Sequence, residues 1–356
     1  MKKSLLISAC LCLCLLCGCG KAEQPASPEE SAPAEAASEL KITQSESVKR
    51  EKYIDEADFE AFLGRSEKKY LIPGLNEAVI PQGMSLSRER GLLYISGYYK
   101  GDGVPSVIMA VDAQSGELAA ACRLFNADGT PFVSHVGGLA AAGDKLFVSA
   151  KLDNDGSYSI ATIALDKLPA SGTADVSIDE TITLPVSPSF MSYSKGLLMV
   201  GNFYHPSADY GLSKGMEFTT QTADGESGCY ILCYDLSRED AFAAPEMVLV
   251  APDRVQGAVM LEDGRVFLSQ SYGRKNNSTI FCYDLAAAAE ETVELDGQQV
   301  KACILDSRCQ TEAVTAMPMT EALCDDGEGN VLVLFESGAM AYDDGKFRTD
   351  HVWLMK

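Results

Sequence analysis

"IPQGMSLSRERGLLYISGYY", residues 80–99, holds two short apolar strands back to back across a charged turn, and a Gln-Gly pair opens the first of them. Glycine weakens a strand and a bare amide adds no apolar surface, so this opening needs a reason. Four other segments share the layout: "VGGLAAAGDKLFVSAKL" from 136, "SFMSYSKGLLMVGNFY" from 189, "QGAVMLEDGRVFLSQSY" from 256 and "EALCDDGEGNVLVLFES" from 321. In each, a short apolar strand meets a turn, usually with glycine and a charge, and then a stronger strand such as Leu92–Ser96 or Val266–Ser269. A third strand follows and ends in an acidic turn: "VIMAVDAQSGE", "IATIALD", "ILCYDL", "IFCYDL", "AMAYDDG". A fourth completes several units as "AAACRLF", "TITLPV" and "EMVLVAP".

Four antiparallel strands repeating at roughly 50 to 70 residues are the pattern of a β-propeller blade. A sandwich would not reproduce one strand order five times, and a parallel α/β sheet would need long amphipathic helices between its strands. The expected fold is therefore all-β, a propeller of four-stranded antiparallel blades over residues 67–356. Five blades fit the count, with "KYLIPG" or the C-terminal "HVWLMK" closing the ring. Six is the alternative, because residues 290–320 are irregular enough to hide a degenerate unit. One helix is predicted outside the repeat, "YIDEADFEAFLG", capped by Asp55 and stopped by Gly64, in a lead-in spanning 51–66.

On these motifs the chain from about residue 70 onward resembles secreted propellers of the gluconolactonase and strictosidine-synthase-like kind. It also resembles bacterial surface propellers with a "PGL…PQG" opening. The motifs are those of a fold and not of one activity.

In a propeller the first strand of each blade lines a crowded central channel, and Gly83, Gly137, Gly138 and Gly257 suit that crowding. Aligning the repeats places Gln82, Gly137, Ser189, Gln256 and Glu321 in a ring at one mouth, with His135 beside it. The ends of the second strands return to the same face and bring Tyr98, Tyr99, Lys151, Asn202, Tyr204, His205, Tyr272, Arg274 and Glu336. One connection there is long, "HPSADYGLSKGMEFTTQTADGES" at 205–227, and carries Tyr210, Met216 and Phe218. It reads as a lid or binding loop, or as plain disorder.

Hydrolytic propellers of the resembled family hold a divalent metal at this mouth, which implies a Ca²⁺ site at Glu321, Gln82 and Gln256. One ring carboxylate with two amides is a thin set for a cation that takes six to eight oxygens. His135 or His205 could act as a general base with Glu321 orienting it. Equally, His135 could hydrogen-bond a strand mouth and His205 could be the turn residue before Pro206. "KLDNDGSY" has Lys151 where a calcium loop needs its first ligand, so it reads as a hairpin turn. "LPASG" at 168–172 reads as a turn as well.

The first nineteen residues have the form of an export signal, with Lys2 and Lys3 ahead of an apolar run too short for a permanent span. Its end, Leu16-Cys17-Gly18-Cys19, resembles a bacterial lipobox, which implies lipid on Cys19 and attachment outside the cytoplasm in the cell envelope. An ordinary secretory cleavage nearby is the alternative. Residues 20–50 are rich in Ala, Glu, Pro and Ser and read as a solvated tether. The net charge is −22, and −24 without Lys2 and Lys3. So acidic a chain argues against nucleic acid as a partner and against electrostatic docking on anionic lipid.

Five of the twelve cysteines lie in the signal region, leaving an odd seven that cannot all pair. Cys229 and Cys233, about 13 Å apart along a strand, cannot bridge each other. Cys303 and Cys309 could close a hairpin or remain free thiols. No zinc spacing is present. The expected function is a ligand-binding or protein-interaction module for a small molecule, a glycan or an envelope protein, with the four tyrosines Tyr98, Tyr99, Tyr204 and Tyr272 as stacking surface. A metal-dependent lactonase- or esterase-like hydrolase and a structural adaptor are the other two readings.

Overall fold

The computed structural model describes residues 40–48, 56–101, 103–150, 157–207, 210–295 and 297–356. The signal segment, Cys19, Asp55, Lys151 and the turn at 151–156 lie outside them. The chain forms a five-bladed β-propeller, nearly all β. Blade one is Ile80–Ser87, Leu92–Tyr98, Val107–Asp112 and Leu118–Phe125. Blade two is Leu139–Ala142, Lys145–Ser149, Tyr158–Ala164 and Glu180–Leu184. Blade three is Phe190–Ser194, Leu197–Gly201, Cys229–Asp235 and Met247–Ala251. Blade four is Val255–Met260, Arg265–Gln270, Ser278–Asp284 and Gln310–Ala316. Blade five takes Thr320–Asp325, Val331–Phe335 and His351–Met355 from the C-terminal end and Ser66–Leu71 from the other.

Both candidate closing segments therefore act together: Ser66–Leu71 pairs antiparallel with His351–Met355, and the ring closes within one sheet. Every first hairpin turns on a glycine with positive φ, namely Gly91, Gly143, Gly196, Gly264 and Gly329, a conformation in which a Cβ is strained. Apolar residues on both faces of each blade fill the seams between blades, which is why the inner strands are buried along most of their length.

The irregular stretch 290–320 hides no sixth blade. Ala289–Leu295 and Gln298–Ile304 form a hairpin that adds to the outer edge of blade three, with Gln298–Ile304 parallel to Met247–Ala251. Gly172–Ser177 does the same for blade one, parallel to Leu118–Phe125. Each of these strands covers an outer edge that would otherwise stay unpaired. "AMAYDDG" is not a third strand: Met340–Tyr342 is a 3₁₀ turn, and the third strand of blade five begins at His351. The lead-in helix is shorter than expected, a 3₁₀ turn Glu56–Phe59 running into Glu60–Leu63. Phe59 and Phe62 sink between Phe335, Phe347 and Trp353 and seal blades four and five from outside. The seven cysteines of the body are buried free thiols.

Residues 40–48, expected in a solvated tether, lie along the propeller instead. Gln44 donates to the carbonyls of Leu71 and Gly116 and accepts from the Leu118 N–H. Asp350 accepts the N–H groups of Ser47 and Val48 at 2.9 and 3.1 Å and bonds His351 Nδ1 at 2.7 Å. Asp350→Ala should therefore free this segment, costing about 2 kcal/mol and opening residues 40–48 to limited proteolysis while the propeller core stays resistant.

Candidate functional site

The inner strands do not run straight into their mouths. In blades one, four and five the pairing of first and second strand slips at one place, between Pro81 and Met84, Val255 and Gly257, and Thr320 and Leu323. A bulge inserts extra backbone and re-aims a side chain. The residues at these slips are Gln82, Gln256 and Glu321, and all three line the channel mouth. The glycines beside them let the next blade approach: a Cβ on Gly257 would stand 2.6 Å from the Glu321 carbonyl oxygen. Serines at the ends of second strands stitch the same seams. Ser96 donates to the Val136 carbonyl at 2.7 Å and Ser269 to the Glu321 carbonyl at 2.7 Å. The opening Gln-Gly pair thus turns an amide into the channel and clears room for the neighbouring blade.

All five ring residues, Gln82, Gly137, Ser189, Gln256 and Glu321, line one cavity of about 760 Å³ at this mouth. His135, Tyr272, Arg274 and Glu336 join them, as do Phe203, Tyr210 and Tyr342. The floor is a carboxyl pair: Glu321, 4 % exposed, is hydrogen-bonded to Glu336. Glu336 accepts from Gln82 Nε2 at 2.7 Å, with the Tyr342 hydroxyl close by. Gln256 turns its Nε2 toward Glu321 at 3.4 Å. Burial, and then the charge of its partner, hold the Glu321 carboxyl well above the usual carboxylate range. Burial raises Glu336 to about 7, with its three hydrogen bonds and the Arg274 charge acting the other way. Two buried carboxyls in contact do not both ionise readily, so the pair as a unit holds a proton above the usual carboxylate range.

Tyr342 is placed by a braced loop. Arg348 donates to the carbonyls of Ser337, Gly338 and Ala339, and Arg274, bonded to Asp344 at 2.7 Å, lies 4.8 Å over the Tyr342 ring. Opposite this floor stands an aromatic wall: Phe203 and Tyr272 are stacked at 6.4 Å, and Tyr210 meets both edge-on. The long loop carries Tyr210 to the cavity while Met216 anchors it in the core of blade three and Phe218 packs on Tyr230. Four large apolar side chains are exposed among the described residues, Val104, Tyr210, Tyr272 and Met340. Each stands in a connection between second and third strands, on this face.

Other candidates stand elsewhere. Tyr99 points away from the channel and packs against the core of blades one and five. Tyr98 is not part of the cavity lining, its ring standing 4.5 Å from His135 and its hydroxyl 3.4 Å from that of Tyr342. Asn202 is buried with its amide spent on the Gly228 carbonyl and the Tyr230 N–H, and Tyr204 packs into blade three. Phe203, between them, faces the cavity. His205 lies against Tyr272 at 4.6 Å, and neither histidine is hydrogen-bonded to Glu321.

The candidate Ca²⁺ ligands do come together, but as a poor fit for a cation. Both glutamines turn N–H donors toward the carboxyls, and the two carboxyls contact each other. Among the described residues no three His, Cys, Asp or Glu side chains gather as a metal cluster.

These features define a class, a five-bladed propeller with a carboxyl pair at the floor of its channel mouth. Solved structures similar to it in fold include the glutaminyl cyclase of Myxococcus xanthus, 10 % identical over 82 % of this chain and 92 % of that one, with a TM-score of 0.42. Another is the PQQ-bound aldose sugar dehydrogenase of Streptomyces coelicolor, 10 % identical over 82 % and 96 %, with a TM-score of 0.41. No family model matches the chain, and no curated protein matches it in sequence.

Proposed function

We propose that this protein is a binding module that takes a small polar ligand into the mouth of its channel, held at a membrane surface through lipid on Cys19. The observation that supports it is the cavity, within the size range of small-molecule sites and built in their usual way, an apolar wall with a few convergent polar groups. Phe203, Tyr210 and Tyr272 give a flat face for stacking, and Gln82, Gln256 and Glu336 give directional hydrogen bonds below it. A ligand with one flat, weakly polar side and hydrogen-bonding groups on the other satisfies both. Hexoses, amino sugars, amino acids and short acyl compounds are the panel to screen by thermal shift.

A ligand at a hundred times its Kd adds about 2.7 kcal/mol to stability, which raises Tm by several degrees. Tyr272→Ala, at an exposed position, should leave the ligand-free Tm unchanged and weaken binding at least tenfold. Undiminished binding in that variant would place the ligand elsewhere and reject the cavity.

A further inference from the structure

We propose that Glu321 and Glu336 form a metal-free acid–base pair that directs water onto the carbonyl carbon of a small acyl compound held in the cavity. The proposal rests on the cavity reading above and deepens it. The separation of the two carboxyls decides which chemistry they suit. Carboxyls that work on glycosidic bonds stand about 5–5.5 Å apart when one is a nucleophile and about 6.5–9.5 Å apart when a water lies between them. Glu321 and Glu336 are in direct hydrogen-bond contact, too close for either. Two carboxyls that share a proton at about 3 Å address one water-sized atom together, the arrangement that serves acyl hydrolysis without a covalent intermediate.

The surroundings assign the roles. Glu336 is the more accessible and is assigned as the carboxylate, held in place by the Gln82 amide. Glu321, the more deeply buried of the two, is assigned the proton. A water between them gives a proton to Glu336 as its oxygen bonds to the carbonyl carbon, while Glu321 gives its proton to the carbonyl oxygen. The result is a neutral tetrahedral diol. Glu336 then protonates the departing oxygen or nitrogen as that bond to carbon breaks, and Glu321 takes back a proton as the carbonyl re-forms. An acid and an alcohol or amine leave, and the pair returns to its starting state. No metal, redox partner or covalent enzyme intermediate enters. The other ionisable groups near the pair are Tyr98 and Tyr342, both held neutral by burial, Arg274, and His135 of the same cavity, whose imidazole burial holds below its usual range.

The test uses the full chain with p-nitrophenyl acetate as substrate and 4-nitrophenylacetone, the matching ketone that water cannot cleave, as binding probe. Hydrolysis is expected in the presence of EDTA, with kcat rising as pH climbs through about 7. Glu336→Gln and Glu321→Gln should each lower kcat at least 100-fold while still binding the ketone, which also shows that they fold. Ketone binding without turnover in the wild type overturns the acid–base pair and leaves the binding site standing. Turnover that survives both substitutions, or that EDTA abolishes, overturns it as well. A panel in which nothing binds in a Tyr272-dependent way rejects the cavity itself.

Discussion

Gly257→Ala should unfold at a clearly lower urea concentration than the wild type, losing about 3 kcal/mol, the upper end of what overpacking costs. A single methyl has this effect because of what it would meet. The new Cβ would stand 2.6 Å from the Glu321 carbonyl oxygen, 2.9 Å from the Leu323 nitrogen and 3.0 Å from the Ala322 Cα. All three are backbone atoms of the neighbouring inner strand, so no side chain can rotate away. Relief requires blades four and five to part, and that pulls on the Ser269 hydroxyl, which bonds the same Glu321 carbonyl. Gly211→Ala is the control. Gly211 lines the cavity, but nothing lies within 4 Å of its added Cβ, so a change within about 0.5 kcal/mol is expected. Because the seam carries Glu321, ligand affinity should fall in Gly257→Ala along with stability. Equal stability of Gly257→Ala and wild type would show that the two strands do not approach as described.

The same crowding explains what could be read in advance. Repeated strand order, turn glycines and Gln-Gly openings are local signals, and they located the blades and all five ring residues. Other features depended on contacts that no local pattern records. The hairpin Ala289–Leu295 with Gln298–Ile304 looked irregular because it belongs to blade three while interrupting blade four in sequence. Side-chain direction past a strand end was the second limit. Asn202 and Tyr204 were expected on the channel face, yet the alternation runs on beyond Gly201 and puts Phe203 there instead. Tyr342 was hidden for a third reason, since "AMAYDDG" imitates the third strands of the other blades but turns as a 3₁₀ element. Glu336 was legible as the end of a second strand. Its contact with Glu321 was not, because it depends on the bulge between Thr320 and Leu323 that shifts the two strands in register.

That contact gives the propeller an unusual dependence on pH. Glu336 has its carboxyl raised from 4.5 to about 7 in the folded state, and Glu321 is raised as well. A carboxyl raised on folding binds more protons in the folded than in the unfolded chain. Its contribution to stability is fully present below about pH 4.5 and is lost as pH climbs through the folded value. The shift at Glu336 corresponds to about 3 kcal/mol between pH 5 and 8.5. Asp350, held low mainly by its bonds to His351, Ser47 and Val48, works in the opposite sense and loses its contribution only in strong acid. Above pH 5 burial holds the His135 imidazole below its usual range and adds a contribution of opposite sign, which wild type and variants share, so the difference between them isolates the pair. Denaturant unfolding across this window should show wild-type stability falling with pH. In Glu336→Gln the fall should be smaller by about 3 kcal/mol, leaving the slope due to Glu321, and the double variant with Glu321→Gln should remove that slope too. Neutral glutamine keeps the carbonyl oxygen that accepts from Gln82, so the comparison removes the titration and preserves that bond. Parallel pH profiles for wild type and Glu336→Gln would mean that this carboxyl ionises as freely in the folded protein as in the unfolded chain, and the floor of the cavity would then be an ordinary wet carboxylate.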